Sequence, residues 1–122
     1  MNDPIRVSGT ILVVDDEAAI REALRMILEY EGYEVAEAGD GDEAVTMVLS
    51  RPPDAVLLDI RMPRLSGLEA LEQIRAAGLD VPVLMISGHG SIDTAVEALK
   101  LGAQDFLEKP LEREVVLRRV GG

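Results

Sequence analysis

The chain has 122 residues, the size of one ordinary domain, which argues against an enzyme whose site lies in a cleft between two domains. Its 23 acidic and 12 basic residues give a net charge of −11, which argues against direct contact with the nucleic acid backbone. The absence of cysteine excludes disulfides and thiolate chemistry, and a single histidine cannot form a multi-histidine metal site.

The first part of the chain predicts two strands and two helices. Residues 1–9 lack the apolar run of a signal peptide and predict a flexible leader. A strand is predicted at residues 11–14, and Gly32 stands where a glycine commonly ends a helix. The helix between them is indicated by apolar residues that recur with helical period: Ile20, Ala23, Leu24, Ile27 and Leu28. A second strand is predicted at residues 33–38 and a second helix at residues 44–49.

The middle of the chain repeats this alternation. A short apolar run at residues 55–58 predicts a third strand. Ser66 and Glu69 have the spacing of a capping box, so a third helix is predicted to begin there and to end near Gly78. The apolar run at residues 81–86 predicts a fourth strand.

The last part predicts a fourth helix, a fifth strand and a fifth helix. Ser91 is the predicted cap of the fourth helix, and Gly102 lies just beyond its end. One face of that helix is predicted to carry Ile92, Ala95, Val96 and Leu99. The fifth strand is predicted at residues 104–107 and the fifth helix from residue 111 to residue 120.

Strict alternation of strands and helices predicts an α/β fold, with a doubly wound parallel sheet that helices cover on both faces. Strands 1, 3 and 4 are almost wholly apolar, as interior strands are, whereas strands 2 and 5 contain polar residues, as edge strands can. We therefore expect a five-stranded sheet in the order 2-1-3-4-5, formed by one domain at residues 10–120 with residues 121–122 as its end. No apolar run is long enough to span a bilayer, so we expect a cytoplasmic protein without membrane contact.

Polar side chains follow four of the predicted strands, at the sheet edge where ligands of such folds bind. They are Asp15, Asp16, Glu17, Asp59, Ser87, Gly88, His89, Lys109 and Pro110. Three converging aspartates (−3) and Lys109 (+1) leave a charge of −2, which one Mg²⁺ would neutralise. Such a pocket can present a phosphoryl donor to a carboxylate nucleophile, with a lysine and a hydroxyl on the transferred group. Taken alone, the aspartates are equally well explained as a helix cap or a turn residue, Ser87 and Gly88 as a common loop dipeptide, and Lys109 as a solvated lysine in a turn. Only their combination at four strand ends favours a site.

These residues lie in the motifs ILVVDDE, LLDIRMPRLSG, MISGHG and DFLEKP, which together resemble the receiver domain of bacterial two-component response regulators. The resemblance covers residues 10–120 and implies the flavodoxin-like receiver fold. By resemblance, Asp59 is the phosphoacceptor and Asp16 a direct Mg²⁺ ligand, with Mn²⁺ as an alternative metal. Asp15 resembles the second acidic residue, which often acts through water, and the backbone carbonyl of Arg61 resembles the third protein ligand.

The resemblance also implies roles for residues near the fourth and fifth strands. Ser87 resembles the switch hydroxyl and Lys109 the lysine that pairs with the phosphate, and the bond from Lys109 to Pro110 is often cis in this family. Phe106 resembles the switch aromatic, although the family often has tyrosine there, so coupling through a phenol hydroxyl is not available. An ordinary core position in an edge strand is the alternative for Phe106.

The activity implied is transfer of a phosphoryl group from a partner histidine kinase to Asp59, followed by hydrolysis, so the protein acts on itself and has no separate substrate. Gly88 leaves the phosphorus accessible, and Arg61 and His89 flank the same opening. We predict that these three residues tune hydrolysis, with His89 as a loop residue without a role as the alternative.

Output is expected through the face of helix 4, strand 5 and helix 5, which we expect to form a homodimer on phosphorylation. Charged residues expected to form ion pairs across it are Lys100, Asp105, Glu108, Arg113 and Arg118. The segment GHGSIDTAVEALKLGAQDFLEKPL resembles receivers of the nitrogen-regulation class, which precede an ATPase that activates sigma-54 promoters and a DNA-binding domain. We therefore expect an output domain outside this chain that regulates transcription.

Three other kinds of protein share parts of this pattern. A dehalogenase-type phosphatase needs aspartate where Arg61 stands, and a dinucleotide-binding domain needs three spaced glycines after the first strand. The third is a pseudo-receiver, an interaction module that works without phosphorylation. It stays open, although every position that such modules tend to lose is intact here.

Overall fold

The computed structural model describes residues 9–88 and 92–121, in which strands and helices alternate without exception. The strands are β1 (Thr10–Val14), β2 (Glu34–Ala38), β3 (Ala55–Asp59), β4 (Val83–Ser87) and β5 (Asp105–Glu108). The helices are α1 (Ala18–Tyr30), α2 (Gly41–Ser50), α3 (Gly67–Ala76), α4 (Ile92–Lys100) and α5 (Arg113–Gly121). All the predicted elements are present, with ends that differ by a few residues.

The sheet is parallel throughout and has the order β2-β1-β3-β4-β5, which confirms the predicted topology and the two polar edge strands. Alternate residues of each interior strand point to opposite faces, so the sheet has two apolar layers. Ile11 and Val13 pack with α1 and α5, and Leu12 and Val14 pack with α2 and α3. This arrangement leaves the ends of the strands for polar residues.

The helix ends follow their predicted signals. Ser66 accepts a hydrogen bond from the amide of Glu69, whose carboxylate accepts one from the amide of Ser66, so the capping box is confirmed. Gly32, Gly78 and Gly102 follow helices and have φ of 98°, 83° and 106°, in the left-handed region that glycine adopts without strain.

The residues that α4 buries are only partly those of the apolar face predicted from the sequence. Val96 and Leu99 are 45% and 40% exposed, whereas Ala95 and Ala98 are fully buried. Two alanines let the helix backbone pack closely on the sheet, so the larger apolar residues turn outward. In α1, Ala23 is likewise exposed. The cap predicted at Ser91 lies outside the described residues.

Three strands, β3, β4 and β5, end one residue later than predicted, and each ends on a polar residue: Asp59, Ser87 and Glu108. Asp59 pairs in register with Ile86, and Ser87 pairs with Glu108, so all three belong to the sheet itself. None of the helices in the described part of the chain has the length and apolar character that a membrane crossing requires.

Candidate functional site

Three aspartates meet at the carboxyl edge of the sheet, as the sequence predicts. Asp15 and Asp16 follow β1, and Asp59 ends β3, the neighbouring strand. One carboxylate oxygen from each lies within 4.8 Å of the other two. Asp15 is fully buried and Asp59 is 4% exposed, whereas Asp16 is exposed. The group therefore has a buried floor and one side open to solvent.

The buried carboxylates have few hydrogen-bond donors around them. Asp15 Oδ1 accepts a bond from the amide of Glu17 at 2.9 Å, but Asp15 Oδ2 is buried and has no hydrogen-bond partner among the described residues. Within the same part of the chain, Asp59 Oδ1 accepts only a long bond, 3.4 Å, from the amide of Arg61. Because a buried carboxylate oxygen without a partner destabilises a fold, this arrangement favours a cation that would satisfy it.

Lys109 brings one positive charge to the cluster. Its Nζ lies 3.6 Å from Asp15 Oδ2, 3.8 Å from Glu17 Oε1 and 3.9 Å from Asp59 Oδ2, which are ion-pair distances and too long for hydrogen bonds. The backbone amide of Lys109 donates to the carbonyl of Ser87 at 2.9 Å, and the bond to Pro110 is cis, as predicted. The ammonium group of Lys109 is thus at a similar distance from three carboxylates and is not hydrogen-bonded to any of them.

The pocket disfavours the ionised forms of its two buried carboxyl groups. Burial, together with the charge of Asp15, raises the pKa of Asp59 from 3.8 to about 6, although Lys109 opposes the rise. Burial also raises the pKa of Asp15 above its ordinary value, against the hydrogen bond from Glu17 and the charge of Lys109. Three carboxylates, one of which has a buried oxygen without a hydrogen-bond partner among the described residues, are the donor set of a small hard cation, so these residues fit Mg²⁺, and Mn²⁺ accepts the same ligands.

The other predicted site residues occupy the same edge or lie next to it. Ser87 ends β4 beside β3 and is 3% exposed, and Phe106 in β5 is half-buried against the apolar layer of α2 and α3. A Cβ on Gly88 would meet no atom of the described residues within 4 Å. Arg61 is exposed, and His89 lies outside the described residues. The roles predicted for these residues stay predictions.

The charged residues expected on the output face are partly engaged within the chain. Asp105 Oδ2 accepts a hydrogen bond from Arg119 Nη1 at 2.6 Å. Arg113 lies 3.6 Å from Glu31 and stacks 4.7 Å above the ring centre of Tyr30, so it turns towards α1. Asp105 and Arg113 would have to exchange these partners before they paired with another molecule.

Two residues that shape the site were not predicted from the sequence. A Cβ on Gly67 would overlap the carbonyl oxygen of Asp59, so the first residue of α3 has to be glycine for the loop after β3 to close. Arg21 donates from Nη1 to the carbonyl oxygen of Asp15 at 2.6 Å. The capping pattern at Ser66 gives a signal near Gly67, but nothing local in the sequence connects Arg21 on α1 with the acidic loop.

Comparison with known proteins matches this chain to one protein family. The family described as "Response regulator receiver domain" matches residues 11–121. The response regulator MprA of Mycobacterium tuberculosis is 46% identical over 114 residues, which cover 93% of this chain and 50% of that protein. MprA of Mycobacterium avium is 47% identical over 110 residues, which cover 90% and 48%. The chain spans about half the length of these curated relatives.

Solved structures agree with the sequence relatives. The crystal structure of the receiver domain of NtrX from Brucella abortus superimposes with a TM-score of 0.86 at 45% identity and covers 90% of this chain and 93% of that one. NtrX from the same organism in complex with ADP gives a TM-score of 0.88 at 43% identity, over 93% of this chain and 26% of that one.

Proposed function

Because the chain belongs to the response regulator receiver family, we propose that it is a switch in which Asp59 accepts a phosphoryl group from a sensor histidine kinase. Receiver domains of two-component systems interact with histidine kinases, and phosphorylation-based switching is their general function. They generally bind Mg²⁺ at an acidic pocket. The proposal assigns these general properties to named residues of this chain.

The observation that carries the proposal is the buried pair of Asp15 and Asp59 beside Lys109, in which Asp15 Oδ2 has no hydrogen-bond partner in residues 9–88 and 92–121. If these two carboxylates had only a structural role, each would accept several hydrogen bonds, as buried carboxylates usually do. Two buried carboxylates with few hydrogen-bond donors lie here at the sheet edge where ligands bind. This supports a site that binds both a cation and an anionic group.

Asp15, Asp16 and Asp59 would hold the cation, and the backbone carbonyl of Arg61 is proposed as a further ligand. When bound, Mg²⁺ supplies positive charge that keeps the carboxylates ionised and offsets the charge on the phosphoryl oxygens. Asp16 is the exposed member of the set, so it lies where the cation would enter from solvent.

Asp59 and Lys109 are proposed to have different roles in the transfer reaction. A carboxylate oxygen of Asp59 attacks the phosphorus and forms a P–O bond, while the P–N bond to the kinase imidazole breaks and its electron pair stays on the nitrogen. Lys109 Nζ, 3.9 Å from Asp59 Oδ2, is within reach of the oxygens of the transferred group. Hydrolysis by water later returns the carboxylate and releases phosphate, and Arg61, Gly88 and His89 are proposed to set its rate.

The signal is proposed to leave through α4, β5 and α5. Ser87 at the end of β4 would bond the phosphoryl group, and Phe106, which is only half-buried, would turn inward as it does so. Val96 and Leu99 add exposed apolar surface on α4, which supports a homodimer contact there. Since the chain carries a net charge of −11, DNA contact and regulation of transcription are assigned to an output domain elsewhere, in the cytoplasm.

The test is intact-mass spectrometry after incubation with Mg²⁺ and acetyl phosphate. We expect the wild type to gain one labile phosphoryl group and Asp59→Asn to gain none, and chelation of Mg²⁺ should abolish the gain. Asp54→Asn is the matched control, because Asp54 lies just before the same strand, at its opposite end, and should leave the gain intact. A folded wild type that gains nothing from acetyl phosphate or from a histidine kinase would instead support the pseudo-receiver.

A further inference from the structure

We propose that Arg21 is a positioning residue, which fixes the peptide between Asp15 and Asp16 so that both carboxylates face one cation. The inference rests on the function proposed above, because it concerns the same acidic site. It adds a residue that touches neither the cation nor the phosphoryl group but determines where two ligands point.

The contacts of Arg21 tie three elements together. Its Nη1 donates to the carbonyl oxygen of Asp15 at 2.6 Å, and its Nε donates to Glu37 Oε1 at 2.9 Å. The side chain is only 20% exposed, so water competes weakly for these bonds. A guanidinium that starts on α1 and is anchored on β2 therefore holds the loop that follows β1.

The bond to the carbonyl matters because of what it fixes. The carbonyl of Asp15 and the amide of Asp16 belong to one planar peptide, so fixing the carbonyl also sets the direction in which Asp16 leaves the loop. The amide of Asp15 donates to the carbonyl of Ala38 at 3.2 Å, and the amide of Glu17 donates to Asp15 Oδ1 at 2.9 Å. Together these bonds leave Asp15 Oδ2 as the oxygen that faces Lys109.

Glu37 makes the anchor strong and also supplies a control. It accepts from Arg25 Nε at 2.7 Å as well as from Arg21, and these two hydrogen bonds hold the pKa of its carboxyl below the ordinary value. Arg25 also donates to Glu29 at 2.6 Å. Arg25 thus shares the same carboxylate one turn further along α1, while its described hydrogen bonds do not reach the acidic loop.

The test compares Mg²⁺ binding to the unphosphorylated chain, by titration calorimetry, for the wild type, Arg21→Gln, Arg21→Lys and Arg25→Gln. Loss of a residue that orients metal ligands typically weakens binding, so we expect Kd to rise about tenfold in Arg21→Gln. Arg21→Lys should recover part of the affinity, because one ammonium cannot reach both acceptors as the planar fork does. Arg25→Gln should stay within about twofold of the wild type, since the loop keeps its bond.

The outcomes separate the inference from the function. Equal Kd values for Arg21→Gln and Arg25→Gln, or for Arg21→Gln and the wild type, would overturn the positioning role while leaving the proposed function intact. A wild type that binds no Mg²⁺ would instead remove the proposed function. Thermal unfolding of each variant identifies any loss of fold, and in that case the comparison between Arg21→Lys and Arg25→Gln decides.

Discussion

The two ends of β3 each carry an aspartate, and the environments of the two side chains are opposite. Asp54, just before the strand, is exposed, and its Oδ2 accepts a 2.8 Å hydrogen bond from the amide of Thr10. Its own amide donates to the Thr10 carbonyl at 2.8 Å. Asp59, at the other end, is 4% exposed and, in the part of the chain that the structure describes, accepts only a 3.4 Å bond from Arg61. One carboxylate joins two strands, whereas the other is buried without adequate partners.

The difference shows how one residue type serves structure at one place and chemistry at another. A carboxylate that is hydrated and hydrogen-bonded is already stabilised and gains little from a new partner. A buried carboxylate with a raised pKa stores unfavourable free energy that a bound cation can relieve. The following changes test whether the two ends of β3 differ in this way.

The largest effect is expected from closing the space beside Asp59. In Gly67→Ala the new Cβ overlaps the Asp59 carbonyl oxygen, which is backbone and cannot turn away, so we expect a loss of about 3 kcal/mol in the free energy of unfolding. In Gly9→Ala the new Cβ lies 2.7 Å from Asp54 Oδ2, the end of a movable side chain, so we expect a loss of about 1 kcal/mol. Urea denaturation of both variants measures the two losses, and equal losses would contradict the comparison.

The next largest effect is expected from removing the buried charge. The folded-state pKa of Asp59 is raised from 3.8 to about 6, so the folded protein loses stability as pH rises through this range, and the full loss is present above it. In the absence of divalent cations at about pH 7.5, Asp59→Asn should be more stable than the wild type by on the order of 2 kcal/mol.

The pH dependence supplies the control for this prediction. The gain in Asp59→Asn should fall by roughly half at about pH 5, because folded wild type is then mostly protonated at Asp59. Taking the difference between the two proteins cancels groups that titrate in both, including Glu37, whose pKa is lowered. A gain that did not change with pH would show that the carboxylate charge is not its source.

Much of this contrast was predictable from the sequence. Parallel strands bring their carboxyl ends to one edge, so the order of the strands alone places Asp15, Asp59, Ser87 and Lys109 together. Their burial and spacing were not predictable, since they depend on the way loops close over the edge. The overlap that requires glycine at position 67 arises between residues eight positions apart, and no local pattern reports it.

Errors in the helices have two different causes. In α4, Ala95 with Ala98 and Val96 with Leu99 have the same spacing, and hydrophobicity alone favours the larger pair, although the tightly packed sheet takes the alanines. For α2, the sequence contains a capping residue that the predicted start of the helix did not take into account. Asp40 accepts a hydrogen bond from the amide of Glu43 at 2.8 Å, and this cap starts the helix at Gly41 rather than at residue 44.

A smaller effect is expected from Mg²⁺ itself. A ligand that binds only the folded chain stabilises it by about 1.4 kcal/mol at ten times its Kd, so Mg²⁺ should raise the free energy of unfolding of the wild type by this amount. Asp59→Asn should respond much less, because it lacks one ligand carboxylate. Asp54→Asn should respond as the wild type does. A full response in Asp59→Asn would place the cation away from β3.

The smallest effect is expected at Asp54. Asparagine keeps an oxygen that can accept from the amide of Thr10, and the group is exposed, so water can replace any part of the bond that is lost. We expect Asp54→Asn to change the free energy of unfolding by about 0.5 kcal/mol. Urea denaturation at about pH 7.5, run beside Asp59→Asn, gives the measurement. A gain of stability in Asp54→Asn as large as the gain in Asp59→Asn would mean that the charge of Asp54 also destabilises the fold, and the contrast between the two ends of β3 would no longer explain why the chemistry lies at one of them.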